Sequence, residues 1–175
     1  MAAKGKPSRD ELVLLNPFKD SLPPEVFTTP FDLPKTNASG FVRPQMRRAF
    51  SLLEQAGWTV QNGVLKNAAG QPFEFEILLD TASAGAWERI TLPYVKNLQK
   101  LGIKAAVRAV DMTQYNNRLA QFDYDMIVAV WGQSTSPGNE QRYFWGTAAA
   151  DSAGSRNYAG IKDAAVDALI EKIIE

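Results

Sequence analysis

The sequence predicts an α/β fold in which helices pack against a mixed sheet. Strand-like segments alternate with segments of helical periodicity along residues 73–131, and turn or capping residues separate them. With 175 residues, 45% of them hydrophobic, the chain is long enough for one domain, or one domain and a piece of another, with a substantial core. We therefore expect one α/β domain over residues 41–160, flanked by shorter segments.

The first flanking segment, residues 1–40, is expected to be an extended, irregular linker. Over residues 16–40, five prolines exclude helix interiors and central strands from much of the segment; they are Pro17, Pro23, Pro24, Pro30 and Pro34. The N-terminal sequence MAAKGKPSRDELVLL has a short apolar run at residues 12–15, next to charged residues, so we identify no signal peptide in it.

A helix, a hairpin and a strand are predicted next. Pro44 occupies a favoured first position of a helix, an apolar stripe follows at helical spacing, and Gly57 ends it. The pair Asn62-Gly63 predicts a tight hairpin because both residues tolerate positive φ. Hydrophobic and polar residues alternate over residues 73–79, so we expect a strand with one half-exposed face.

Further helix and strand signals follow. Residues 84–101 are predicted to form a helix, and Pro93 inside it should kink the helix or mark a late start. Gly102 ends this helix, and a strand over residues 103–110 follows. Asp111 then begins another helix as the cap of a D-x-x-Q pattern. The apolar face of the 84–101 helix is expected to comprise Trp87, Ile90, Tyr94, Leu98 and Leu101.

The segment FDYDMIVAVWG, residues 122–132, predicts the last strand, over about residues 124–131. The apolar run at its centre does not alternate, which is typical of a central strand covered on both faces. A final helix is expected within residues 161–175, where Asp163 is a candidate N-cap. The chain ends inside this pattern without a stop signal, so we interpret the segment as the start of a truncated helix.

Composition excludes several classes of function. The chain contains no histidine and no cysteine, which rules out Ser-His-Asp and Cys-His catalysis, thiol redox chemistry and zinc sites built on these residues. Nineteen basic and nineteen acidic residues give a net charge of zero, so there is no electrostatic signal for nucleic acid or an anionic membrane. We find no apolar window of about 18 residues that would span a bilayer, and no metal or cofactor motif.

The candidate binding site follows the last predicted strand. In open α/β sheets, ligands bind beyond the carboxyl ends of the strands, where the loops diverge. The segment after this strand combines hydrogen-bonding and aromatic residues, as small-molecule and peptide clefts do. Its candidate ligand-binding residues are Trp131, Gly132, Ser134, Asn139, Gln141, Tyr143 and Trp145. The alternative is that Trp131 only closes the core and that the loop after it is solvated.

Several segments of the chain, taken in order, resemble one protein family. They are RPQMRRAFSLLEQAGW, NGVLKNAAGQPFEFEILL, LPYVKNLQKLGIKAAVRAVDMTQYNNRL, FDYDMIVAVWG and SRNYAGIKDAAVDALIEKI. Together they cover about residues 40–175 and resemble the C-terminal part of family 5 extracellular solute-binding proteins, the oligopeptide and dipeptide receptors of ABC importers. The last segment and NEQRYFWG are most similar to the branch that handles peptides and modified peptides such as microcins.

The resemblance implies that residues 41–160 are most of the third domain, a ligand-binding lobe of a two-lobed periplasmic binding protein that closes on its ligand. It implies a receptor rather than an enzyme, with a peptide or other small solute as ligand and an ABC permease as partner. It also implies an N-terminal lobe absent from this sequence, a parent that is periplasmic or a cell-surface lipoprotein, and no cofactor.

The resemblance also assigns roles to individual positions. Trp131 matches a tryptophan of the family that stacks on the ligand. Ser134 stands where peptide receptors of the family carry an aspartate for the α-ammonium group, so either Glu140 supplies that charge or the ligand lacks a free amine. An arginine that some members direct at a ligand carboxylate is missing at Val128, and Arg118 is its candidate substitute. Residues expected to be structural are Asn157 and Tyr158.

Two other functions stay open from the residues alone. Glu74, Glu76 and Asp80 are candidate acid and base groups of a small hydrolase, although a solvent-exposed strand face explains the glutamates more simply. A partner-binding α/β module is the other alternative, and its sign would be a large exposed apolar patch. Asp123 and Asp125 form no metal-binding pattern and are expected to face solvent or to end a helix.

Overall fold

The computed structural model of the protein describes residues 5–36 and 38–174. These residues divide into two compact units. The sheet unit consists of residues 38–130, and the helical unit consists of residues 5–36 together with residues 131–174. The positions of the predicted linker and terminal helix that lie outside the described residues are 1–4, 37 and 175.

The regular elements are named in chain order. The α-helices of the described residues are α1 (Arg9–Leu15), α2 (Glu25–Thr28), α3 (Arg43–Gln55), α4 (Ala84–Lys100), α5 (Met112–Ala120), α6 (Glu140–Trp145), α7 (Thr147–Ala150) and α8 (Ala164–Ile174). The strands are β1 (Thr59–Gln61), β2 (Val64–Lys66), β3 (Glu74–Asp80), β4 (Lys104–Val110) and β5 (Met126–Ile127).

A parallel sheet with the strand order β4-β3-β5 forms the centre of the sheet unit. β3 pairs with β4 along its whole length, from Glu74 opposite Lys104 to Asp80 opposite Val110. On its other side, β3 pairs with the two residues of β5. Helix α4 connects β3 to β4, and α5 connects β4 to β5. Parallel strands with helical connections confirm the predicted α/β class.

The prediction that residues 124–131 form a central strand is wrong. β5 is two residues long and lies at the edge of the sheet, and Val130 beyond it is 68% exposed. The central strand is β3, in which Ile77 to Leu79 are consecutively buried. The half-exposed face predicted for residues 73–79 is therefore restricted to the start of β3. An apolar run without alternation indicates an extended segment, but it does not show which strands pair with it.

Most predicted helix and turn signals are confirmed. Pro44 lies in the first turn of α3. Asn62 and Gly63, with φ of 52° and 78°, join β1 to β2 in an antiparallel hairpin. The side chain of Asp111 accepts a hydrogen bond from the backbone N–H of Gln114 at 2.9 Å and so caps α5. These elements are specified locally, by residues whose backbone preferences match the turn that they occupy.

Helix α4 packs against one face of the sheet, and its predicted apolar face is confirmed in part: Leu101 is buried, and Trp87 and Leu98 pack against the core. Thr91 and Val95 are buried, whereas Ile90 and Tyr94, which were predicted to face the core, are 64% and 43% exposed. The helix continues through Pro93 without interruption. The core that α4 helps to form comprises Leu65, Ile77, Leu79, Ala84, Val95, Leu101, Ile103 and Ala105.

Gly102 joins α4 to β4 and also holds the hairpin in place. Its φ of +81° is a left-handed conformation that favours glycine. Its carbonyl oxygen accepts a hydrogen bond from the backbone N–H of Leu65 at 2.8 Å. A Cβ atom at this position would lie 2.8 Å from that same nitrogen, so no side chain fits without moving β2.

The helical unit is built from short helices. The prediction that residues 1–40 are extended is wrong for residues 9–18 and 25–28, because α1, a following 3-10 turn and α2 occupy them. The predicted cap of the last helix is confirmed: Asp163 Oδ1 accepts hydrogen bonds from the backbone N–H groups of Ala165 and Val166, at 2.8 and 3.2 Å. Over residues 5–36 and 38–174, no helix has both the length and the apolar character to cross a bilayer.

Candidate ligand-binding site

Trp131 lies among aromatic side chains of the helical unit. Its ring centroid is 4.9 Å from that of Trp145 and 5.8 Å from that of Tyr158. The ring of Phe144 lies edge-on to Trp145, with 6.2 Å between centroids. We call Trp131, Phe144, Trp145 and Tyr158 the aromatic cluster. Trp131, Trp145 and Tyr158 are only half-buried, so this cluster combines tight packing with accessible ring surface.

The indole of Trp131 is oriented by a hydrogen bond as well as by its ring contacts. Its Nε1 donates to the backbone oxygen of Arg156 at 3.0 Å. β5 ends at Ile127, so Trp131 does not lie directly at a strand end as the sequence suggested. Trp131 is half-buried, and that it contacts ligand stays a prediction beside the alternative that it only closes the core.

Gln141 supports the aromatic cluster from inside the helical unit. Its side-chain Nε2 donates to Gln133 Oε1 at 2.7 Å, and its Oε1 accepts from Trp145 Nε1 at 3.1 Å. With only 6% of the residue exposed, Gln141 is placed to orient Trp145. That Gln141 also contacts ligand stays a prediction.

The other candidate residues of this unit lie at the surface. Gly132, Ser134 and Asn139 are exposed in the segment before α6. Ser134 donates to a backbone oxygen of the same loop, and the Asn139 Oδ1 accepts from Arg142. Tyr143 is 46% exposed, and its hydroxyl donates to the backbone oxygen of Gly154. These residues add small and polar side chains to the same unit as the aromatic cluster.

Two carboxylates of this unit differ in how their charge is balanced. Glu171 Oε1 accepts from Arg142 Nε at 2.7 Å, and this pairing lowers the pKa of Glu171 and raises the pKa of Arg142. Glu140 Oε1 accepts from the backbone N–H of Gly138 at 2.9 Å, and that hydrogen bond holds the pKa of Glu140 below its usual value. The lowered pKa keeps Glu140 ionised at neutral pH, and among the described residues no cation pairs with it.

Arg118 belongs to the sheet unit and is held by its own helix end. Its Nε donates to the backbone oxygen and to Oδ2 of Asp123, both at 2.9 Å. Asp125 Oδ2 accepts from the backbone N–H of Glu76 at 2.9 Å. Asp123 therefore lies at the end of helix α5, which confirms the helix-end interpretation for this residue. Asp125 is hydrogen-bonded to the backbone of strand β3. The structure places Arg118 and Trp131 in different units.

The carboxylates that suggested a hydrolase do not form an acid–base pair in this structure. Asp80 accepts hydrogen bonds from the hydroxyl and the backbone N–H of Ser83, and the hydroxyl contact above all lowers its pKa. A general acid needs a raised pKa instead. Glu76 Oε2 lies 3.4 Å from Arg108 Nη1, and both side chains are exposed. Within the described part of the chain, no group of three Asp or Glu residues is placed to hold a metal ion.

Two residues near the end of the chain were expected to be structural. Asn157 is fully buried, and it donates to the backbone oxygens of Gly146 and Ile161 at 3.0 and 2.9 Å and accepts from the N–H of Ile161 at 2.9 Å. That expectation is confirmed for Asn157. Tyr158, in contrast, contacts Trp131 and belongs to the aromatic cluster. Sequence reasoning missed this contact because no local pattern connects residues so far apart in the chain.

The chain belongs to the bacterial extracellular solute-binding proteins, family 5, whose middle-region model matches residues 17–153. It is 50% identical over 175 residues to the uncharacterized protein y4wM of Sinorhizobium fredii, covering 99% of this chain and 26% of that protein. It is 46% identical to a probable peptide-binding protein, YejA, of Agrobacterium fabrum, covering 99% of this chain and 28% of that protein. The predicted resemblance is thus confirmed, and a solute-binding protein, not an enzyme, is the class to which the chain belongs.

The fold is shared with a solved oligopeptide-binding protein. The oligopeptide-binding protein AppA of Bacillus subtilis, in complex with a nonapeptide, superposes with a TM-score of 0.59 and 24% identity. The superposition covers 72% of this chain and 25% of AppA. The chain spans about a quarter of the length of the curated relatives that it matches.

Proposed function

We propose that the chain is part of one lobe of a receptor that binds peptides outside the cytoplasmic membrane and delivers them to an ABC permease. Membership of family 5 and the peptide-binding relative support the ligand class. The chain's share of its relatives' length supports a longer receptor with a second lobe. We propose a periplasmic or surface-anchored location for that receptor, in keeping with the extracellular class of its family.

The observation that carries the proposal is the aromatic cluster beside an exposed polar loop. A peptide presents flat amide groups and apolar side chains, and half-buried indoles offer a rigid surface for both. Because Trp131 and Trp145 are oriented by hydrogen bonds from their ring nitrogens, they are held in place before a ligand arrives. We propose Trp131, Gly132, Ser134, Asn139, Tyr143 and Trp145 as the ligand contacts of this unit.

Ser134 stands where peptide receptors of the family carry the aspartate that binds the peptide's α-ammonium group. In this chain another residue must therefore bind that group. Glu140 is the proposed partner, because its carboxylate stays ionised and lacks a cationic partner among the described residues. Gln141 and Arg118 are proposed to act by positioning: Gln141 orients Trp145, and Arg118 fixes the end of α5.

A binding experiment on the full-length receptor tests this proposal. A defined panel of di- to hexapeptides is titrated by calorimetry, and the best binder is then measured against Trp131→Ala and Glu140→Gln. We expect Trp131→Ala to weaken binding at least about tenfold, since a buried aromatic contact contributes more than about 1.4 kcal/mol. Glu140→Gln should weaken the binding of peptides with a free α-amino group but not the binding of N-acetylated peptides. The matched control is Trp87→Phe, in the sheet unit.

Two outcomes count against the proposal. If Trp131→Ala binds as tightly as the unsubstituted receptor while its circular dichroism is unchanged, the aromatic cluster is not the ligand surface. If no peptide in the panel binds the full-length receptor, the ligand class is wrong. The 175-residue chain alone should show no peptide-induced thermal shift, because a two-lobed receptor supplies contacts from both lobes.

A further inference from the structure

An open groove runs along the edge of the sheet unit. It has a volume of about 580 Å³. Its apolar lining includes Trp58, Phe73, Phe75, Tyr94, Leu98 and Met126. We call it the edge groove, because Met126 belongs to the edge strand β5. Its size is that of several side chains, and its lining resembles a protein interior more than a solvated surface.

The apolar face of the sheet continues from the core into this groove. Met126 pairs with Ile77 in the sheet register, so both side chains lie on the same face. Ile77 is 1% exposed, whereas Met126 is 38% exposed. On the helix side, Tyr94 and Ile90, one turn apart on α4, are 43% and 64% exposed. The described chain thus leaves the outer part of one apolar face uncovered.

The charge at the groove specifies what fits it. The charged residues that line it are Glu74 and Asp125, and no lysine or arginine of the described chain is among the lining residues. Asp125 is already bonded to a backbone N–H through one oxygen. An occupant with apolar side chains and a lysine or arginine at its edge would bury the aromatic surface and balance both carboxylates.

We infer that a segment of the same receptor polypeptide, outside this chain, covers the edge groove with apolar side chains and a basic residue. This inference rests on the proposal that the chain is part of a longer receptor. The chain spans only 26% and 28% of two relatives, so most of such a polypeptide is available to supply the segment. A lining dominated by aromatic and aliphatic groups is typical of permanent packing, whereas a transient contact with a permease is more polar.

Cysteine accessibility tests the inference, since the chain itself has no cysteine. Met126→Cys and Tyr94→Cys, at two exposed residues that line the groove, are made in the full-length receptor and in the 175-residue chain. Thiol labelling is followed by mass spectrometry without added peptide. Each rate is divided by the rate of the same variant unfolded in urea. We expect labelling in the receptor to be at least about tenfold slower than in the chain at both positions. Lys96→Cys, exposed on α4, is the control and should label alike in both.

Other results overturn the inference and identify what covers the groove instead. Equal, fast labelling in both proteins means that nothing covers it. Protection already present in the 175-residue chain assigns the cover to the chain itself, and protection that rises with receptor concentration assigns it to a second copy. Protection that requires added peptide or permease assigns it to ligand closure or to the transporter. Hydrogen exchange at residues 90–98 of the unsubstituted proteins gives the same comparison without a substitution, and peptide binding is scored separately.

Discussion

The sharpest test of the sheet unit is a comparison of two glycines that end helices in the same way. Gly57 follows α3 and Gly102 follows α4, with φ of +85° and +81°. The backbone N–H of each donates to the carbonyl three residues earlier at 3.0 Å. The surroundings differ: a Cβ on Gly57 would meet nothing within 4 Å, whereas one on Gly102 would lie 2.8 Å from the nitrogen of Leu65.

The expected energies follow from this difference. Alanine at either position adopts a left-handed conformation that costs about 1–2 kcal/mol, offset by about 0.4–1 kcal/mol because glycine is the more flexible residue in the unfolded chain. Gly57→Ala should therefore lower the free energy of unfolding by about 1.6 kcal/mol at most. Gly102→Ala should lower it by a further 1–3 kcal/mol or so, because the buried N–H of Leu65 is pushed off its acceptor.

Urea unfolding followed by far-UV circular dichroism measures both variants. The reasoning predicts a clear difference between their midpoints at a shared slope. If both variants lose the same stability, the close approach of β2 to Gly102 has no energetic role and the description of this junction is wrong. A larger loss for Gly57→Ala would contradict it as directly.

Two further predictions concern buried polar groups. Asn157→Ala should lower the free energy of unfolding of the helical unit by about 2–4 kcal/mol, because one buried and two part-buried backbone groups lose their partner. Asn116→Ala, at an exposed position, should change it by less than about 0.5 kcal/mol, and equal effects in urea titrations would refute this role of Asn157. Ser83→Ala should remove the stabilisation that comes from the lowered pKa of Asp80. That stabilisation is present above the ordinary carboxyl pKa near pH 4 and disappears as pH falls through the lower folded-state pKa, so the gap between variant and unsubstituted protein should shrink below about pH 4. A gap that stays constant from pH 6 to 2 would contradict it.

The sequence predicted those parts of the fold that depend on short-range chemistry. Asn62-Gly63, Asp111 and Asp163 each specify a turn or cap through their own backbone preference or side-chain hydrogen bond, and all three occur as predicted. The sheet order was not predictable in this way. Whether β3 or β5 is central depends on which strand the connecting helices bring next to β4, and hydrophobic pattern alone does not contain that information.

The candidate site shows the same division. Trp131 and Trp145 were identified because they follow an apolar segment in a loop rich in polar residues. The contribution of Tyr158 and the positioning role of Gln141 depend on the fold of the helical unit, which brings the end of the chain back to Trp131. A sequence does not show whether the side-chain amide of a glutamine binds a ligand or a neighbouring indole.

The bond between Asp125 and the backbone of Glu76 also has a consequence for solubility. The segment FEFEILL, residues 73–79, lies in β3 except for its first residue and is rich in residues that favour cross-β stacking. The side of β3 that faces β5 has no strand partner before Ile77. A strand from another molecule could pair here only by accepting a hydrogen bond from the backbone N–H of Glu76. That N–H already donates to the carboxylate of Asp125. A charged side chain at this position is a gatekeeper of the kind that disfavours edge-to-edge pairing, so the bond makes the start of β3 a poorer template for a strand of another molecule.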